Sequence, residues 1–212
     1  MSEATYRTVK EGGSGEIVEK KSRFIATVKS VSSEEEATAF INEMKKKYWD
    51  ARHNCSAFVI GEKSEITRCS DDGEPSGTAG RPMLDVLLGE NIHNAVVVVT
   101  RYFGGVLLGT GGLVRAYQAA VREGIKCSRI AEMEFCYPVS VTTDYNGLGK
   151  IEYIVRTEEI MTTDTRYTEN VEMDILVPGD KKDKVVNAIT EATGGAAKVE
   201  IGDGGMFEVL RG

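Results

Sequence analysis

Long apolar runs are missing from this 212-residue chain. No stretch approaches the roughly 18 residues that a membrane-spanning helix needs, and the strongest candidate is broken at Arg101, so no membrane contact is expected. Paired cysteines are missing too. Cys55, Cys69, Cys127 and Cys136 stand far apart with no CxxC, and the opening MSEATYRTVK has no apolar signal core, which leads us to expect reduced thiols and a cytoplasmic protein. With two histidines and no GxSxG, a serine triad has no framework. There is no GxxxxGK[ST], and no GxGxxG with an acidic residue about 20 positions on, so nucleotide hydrolysis is poorly supported. No metal and no cofactor are expected. The chain also lacks excess positive charge. Its net charge of −7 argues against coating nucleic acid nonspecifically.

That charge is unevenly spread. Residues 1–130 carry 18 Lys+Arg against 17 Asp+Glu, whereas residues 131–212 carry 8 against 16. A polyanion should therefore prefer the first part, and the acidic second part is a candidate surface for a protein partner.

The stretch that organises the chain is 95–117, AVVVVTRYFGGVLLGTGGLVRAY. Its β-branched start reads as a strand buried on both faces, since nothing alternates apolar with polar. Gly104, Gly105, Gly109, Gly111 and Gly112 then punctuate a loop before a helix expected from Leu113 to Lys126. These glycines are expected to let this segment approach the other polar loop of the chain, SDDGEPSGTAG at 70–80.

Residues 1–14 read as a mobile lead-in. Strands are expected at 16–20, 23–31, 55–60 and 65–69. A helix capped by Ser32 or Ser33 buries Ala37, Phe40, Ile41 and Met44, and another runs from Arg81 to Gly89 with Thr78 as a candidate cap. From Glu132 a second pattern begins: strand 135–143, helix 148–157, strands 159–168 and 170–177, helix 181–192 and a last strand 198–210. That order is βαββαβ, ferredoxin-like, which predicts domains at 1–130 and 131–212.

Several residues carry candidate chemistry. Arg101 with Tyr102 and Phe103 at the strand's end would, if exposed, offer a guanidinium to phosphate and a ring to a base, and if buried, place the rings in the core; Arg101, Tyr102, Arg115, Arg52 and Arg81 form a candidate nucleic-acid-binding set. His53 and Asp72 are the weak acid/base candidates for an enzyme using the cleft between the two loops. Cys55, two residues along a strand from His53, points to the same side. Asp71, Asp72 and Glu74 gather three carboxylates, but one loop supplies too few fixed ligands for a metal, and they read as structural. His93, in ENIHN, reads as solvated.

The strings DDGEPSGTAGRPML and VVVVTRYFGGVLLGTGGLVRAY, with KSRFIA and ARHNCSAF, closely resemble the signature of the IMPACT family in its bacterial YigZ branch. The resemblance implies an α+β protein of two domains. The first would be a two-layer α/β domain similar to domain IV of elongation factor G, and the second a ferredoxin-like domain similar to its domain V. It implies a translation-associated regulatory protein that binds RNA or the ribosome through its N-terminal domain, the alternatives being a small-molecule or phosphoester-processing enzyme and a protein-interaction adaptor. Eukaryotic relatives act in translational control under amino-acid starvation, a stress response, through a separate N-terminal domain that this sequence is not expected to have. Many members carry Lys roughly where Leu107 stands, so a polyanion contact made there would be lost.

Overall fold

The structure, a computed structural model, describes residues 5–209. These divide into two compact units, one of Tyr6–Ala131 and one running from Glu132 onward.

The first unit opens with β1 (Tyr6–Glu11), where the sequence predicts a mobile lead-in; residues 1–4 of that lead-in lie outside the described residues. Tyr6 and Val9 are buried, and that burial orders the segment. β2 (Ser14–Glu19) and β3 (Ser22–Ser30) form a hairpin. Next comes α1 (Glu34–Lys47), whose N-cap Ser33 accepts from the Glu36 amide while the Glu36 carboxylate reaches back to the Ser32 amide. Two orphan amides are satisfied together. β4 (His53–Ile60), β5 (Ile66–Ser70), α2 (Gly80–Gly89), β6 (Ile92–His93), β7 (Ala95–Tyr102) and α3 (Thr110–Lys126) complete the unit.

Its main sheet is antiparallel throughout, in the order β2-β3-β7-β4-β5. β7 sits at its centre, and its alternate residues enter two cores. Val97 and Val99 pack with Met83 and Leu87 of α2 and Tyr117 and Val121 of α3. Val96 and Val98 pack with Ala37, Phe40 and Met44 of α1. The unit therefore has helices on both faces of the sheet, which corrects the two-layer expectation. The unbroken run of valines in β7 requires this cover, because an open face would leave half of them in water.

His93 is also corrected. It is buried in β6, stacked on Tyr6 at 5.0 Å between ring centroids, with its nitrogens bonded to the Gly61 carbonyl and the Asn91 side chain.

The second unit follows as β8 (Arg129–Thr143, which begins in the first unit), α4 (Tyr145–Thr157), β9 (Met161–Tyr167), β10 (Val171–Pro178), α5 (Lys182–Ala192), β11 (Lys198–Ile201) and β12 (Gly205–Val209). The order β11-β8-β10-β9, antiparallel at every pairing, is the arrangement of a βαββαβ unit. The single last strand expected at 198–210 is instead two, and Leu210 lies outside the described residues. Both pair with β8, but the register gains one residue between Ile201–Val139 and Gly205–Cys136. Pro138 lies in that gap and has no N–H to offer; its carbonyl takes the Gly202 amide at 2.8 Å. A bulge is the ordinary result. Part of this unit's acidity is neutralised within it. Arg166 is held by Asp164, Glu172 and Asp174, which raises its pKa and lowers that of Asp174. Among the described residues no helix is long and apolar enough to cross a membrane.

α3 lies very close to β3. A Cβ on Gly124 would stand 2.9 Å from the Ala26 Cβ and 3.0 Å from a Val28 methyl. Gly124→Leu should therefore overpack this seam and cost about 1–3 kcal/mol, read as a lower urea midpoint, even though Leu is the better helix former.

Candidate nucleic-acid interface

One end of the first sheet gathers the candidate residues, and the pleat sorts them. His53 of β4, Arg101 of β7 and Phe24 of β3 are cross-strand partners and share one face, that of α2 and α3. Tyr102 and its partner Arg23 lie on the other face, that of α1. Arg101 and Tyr102 therefore do not act side by side in one contact surface, as the candidate set expects; successive residues of a strand point oppositely.

Arg101 is also not exposed. It is 7% accessible, its guanidinium lies over the rings of Phe24 (5.4 Å) and Phe103 (5.6 Å), and its Nη1 donates to Glu74 Oε1 at 2.6 Å. The same Glu74 oxygen accepts from the Tyr117 hydroxyl at 2.8 Å, and that hydroxyl accepts from the Cys55 thiol at 3.3 Å. The loop, β7 and α3 thus meet at one carboxylate, with β4 joined through the Tyr117 hydroxyl. Burial pushes the Cys55 thiol up to about 12, and the nearby carboxylates Glu74, Asp72 and Asp71 push the same way. Cys55 is therefore a poor nucleophile near neutral pH. Burial, together with Cys55 and Glu74, also raises the pKa of Tyr117.

The carboxylates of the DDGEP loop are spent on structure. Asp71 accepts the amides of Gly77, Ala79 and Gly80 at 2.8, 3.0 and 2.8 Å, closing the loop and capping α2 in place of Thr78, whose hydroxyl turns back to the Pro75 carbonyl. Burial raises the Asp71 pKa, but the three amides outweigh it and the net shift is downward. Asp72, at φ 44°, accepts the Asn54 amide and pairs with Lys45, while its carbonyl meets His53 Nδ1 at 2.9 Å. His53 and Asp72 adjoin, but the Asp72 carboxylate already has two partners. Cys55 and His53 do share a face, yet the thiol bonds the Asp71 carbonyl rather than the imidazole. No group of three metal-ligating side chains occurs among the described residues.

The glycines act elsewhere than expected. Gly104 packs against the Lys21 carbonyl and the Ser22 amide of the β2–β3 turn, where a Cβ would collide with backbone. Gly109, at φ 70°, starts α3, whose end has no side-chain cap. What joins the DDGEP loop to β7 and α3 is Glu74, not a glycine. Gly105 also turns at positive φ, while Gly111 and Gly112 lie in the first turn of α3.

Of the remaining cationic candidates, Arg81 is exposed but paired with Asp85 one turn on, and Arg115 is exposed in the second turn of α3. Arg52 is exposed just before β4, one step outward from the His53–Arg101 pair, as Tyr102 is on β7. Tyr102 donates to Asp50 at 2.8 Å and carries the Arg23 guanidinium over its ring at 5.7 Å. Sequence reasoning misses Trp49, beside Asp50, which is 82% accessible; the available signal is a lone tryptophan in the polar run KKKYWDAR.

The Impact N-terminal domain family matches residues 20–125, and a domain of unknown function (DUF1949) matches residues 141–196. A Bacillus subtilis (strain 168) protein called IMPACT family member YvyE is 45% identical over 199 residues, covering 94% of this chain and 92% of its own. The Escherichia coli K12 protein IMPACT family member YigZ is 36% identical over 164 residues, 76% of this chain and 80% of its own. A solved structure described as a hypothetical protein superposes with a TM-score of 0.59 at 30% identity, covering 94% of this chain and 97% of that one.

Two outcomes test the buried network. Glu74→Ala leaves Arg101 buried and uncompensated and should cost about 3–5 kcal/mol in urea unfolding, whereas the paired change Glu74→Leu with Arg101→Met should recover most of that loss. Asp71→Ala should cost about 1–2 kcal/mol as a lost cap. The contribution of Asp71 is complete above the unfolded carboxylate pKa of about 3.9 and fades as pH falls through its lower folded value, so the deficit of the variant should shrink in acid.

Proposed function

The chain belongs to the IMPACT family, and on that footing we propose that it is a translation-associated regulatory protein whose first unit contacts RNA, free or on the ribosome. The sequence resemblance implies, as an expectation, ribosome-facing domains like IV and V of elongation factor G, and that expectation is what directs the reading toward RNA.

The observation that carries it is the set of exposed, unpaired cations around one end of a sheet, where Glu19 and Asp50 are the exposed carboxylates. Lys20 and Lys21 at the β2–β3 turn, Arg52 before β4 and Arg115 on α3 have no ion pair among the described residues. Tyr102 sits among them, half-buried. Phosphate contacts of this kind give affinity without base selection, and an adjacent ring adds stacking. Arg101 takes no part in direct contact; it holds the loop on which the surface depends. Arg81, engaged by Asp85, contributes less than Arg52 or Arg115.

The enzymatic alternative gains nothing from the geometry, because Asp71 and Asp72 bind backbone amides and Cys55 is held as the thiol.

The test is an anisotropy titration of a labelled ribosomal RNA hairpin at increasing KCl. Binding should be measurable near about 50 mM salt and weaken linearly on logarithmic axes. Arg52→Ala with Arg115→Ala should weaken binding to all RNA sequences alike and reduce the salt slope by about 2. No binding at low salt, or an unchanged slope in the double variant, would remove this surface from consideration.

A further inference from the structure

Trp49 is the chain's sole tryptophan, and it stands 82% accessible outside every hydrophobic cluster. At that exposure the ring is free to meet a ligand, and an indole pairs a broad apolar face with a polar N–H. It is not loosely held. The Tyr48 amide closes α1 on the Met44 carbonyl at 2.9 Å, the Ala51 amide returns to the Tyr48 carbonyl at 3.0 Å, and Asp50 is tied to the Tyr102 hydroxyl at 2.8 Å. The ring thus projects from a turn whose two flanking segments are fixed.

Its surroundings are cationic. Lys45, Lys46 and Lys47 precede it and Arg52 follows, while Arg23 lies over the Tyr102 ring that Asp50 holds. Three of the carboxylates around it are engaged, Asp72 by Lys45, Asp50 by Tyr102 and Glu16 by Arg23, while Glu43 is exposed earlier on α1. The chemical complement of a flat apolar ring beside positive charge is a chain that alternates planar apolar faces with negative charge.

We propose that Trp49 is a stacking platform for an unpaired base of single-stranded RNA, with Arg52, Lys46 and Lys47 meeting the flanking phosphates. This rests on the RNA-binding reading above and adds the strandedness of the ligand. A duplex hides the faces of its bases, so a ring at the protein surface meets a base face only where the strand is open. Selectivity for sequence is not expected, because every base has a π-face.

Because Trp49 is the sole tryptophan, its fluorescence reports on this place alone. The full chain is titrated with an unstructured RNA of about a dozen nucleotides, within the usual range of single-strand sites. The same RNA annealed to its complement and poly-glutamate form the other arms, and anisotropy of the labelled RNA is followed in parallel. The single strand should quench Trp49 and raise anisotropy together, and the duplex should bind more weakly with little quenching. Trp49→Ala should weaken single-strand binding about 5- to 100-fold, Trp49→Phe should restore part of it, and both should unfold at the wild-type urea midpoint because the ring is exposed. If the RNA binds but Trp49 is not quenched and Trp49→Ala binds normally, the platform is overturned while the RNA-binding reading stands. Quenching by poly-glutamate equal to that by RNA, or equal quenching by the duplex, also overturns it. No anisotropy change with either RNA form removes both proposals.

Discussion

One buried ion pair ties the DDGEP loop to the central strand of the first unit. Arg101 would be costly to bury alone, and Glu74 more so; at 2.6 Å, beneath two aromatic rings, each makes the other tolerable. Because Glu74 belongs to a loop, Arg101 to the central strand and Tyr117 to a helix, the pair also fixes where that loop and that helix lie. The match is imperfect. Arg101 Nε is buried without a hydrogen-bond partner. An apolar replacement of the right shape could be as stable, so what the pair supplies is a unique position for the loop rather than net stability.

Around that pair the unit separates support from contact. The face covered by α2 and α3 holds the polar network, in which carboxylates meet amides, hydroxyls and a guanidinium, and little is left over for a ligand. The opposite kind is found in exposed side chains without an ion pair among the described residues: Lys20, Lys21 and Arg52 near the sheet's end and Arg115 on the outer side of α3. A binding surface needs the second kind of residue, and it needs the first kind to keep the second in place.

Much of this arrangement is legible in the amino-acid sequence. The unbroken valines of β7 announce a strand covered on both faces, although a two-layer expectation stops short of the consequence, which is a third layer. Ser33 with Glu36 announces the start of α1, and the alternation of strand and helix after Glu132 announces the βαββαβ unit. The partner of Arg101 is not legible, because Glu74 lies 27 residues away and no spacing rule links a loop carboxylate to a strand arginine. The separation of Arg101 from Tyr102 is legible in principle, since a strand carried two residues further places them on opposite faces. Treating the two as a single strand end hides that parity. Trp49 escapes a search by motif, because a solitary ring in a polar run forms none.

The burial of Cys55 has a consequence for solution chemistry. Cys69 and Cys127 are exposed, whereas Cys55 is sealed beneath the DDGEP loop with its thiol held protonated. A thiol reagent at neutral pH meets the exposed pair at once, and Cys55 only when that loop lifts from β4. The rate at which Cys55 is modified is therefore a clock for the opening of the signature loop, built into the protein without any added label.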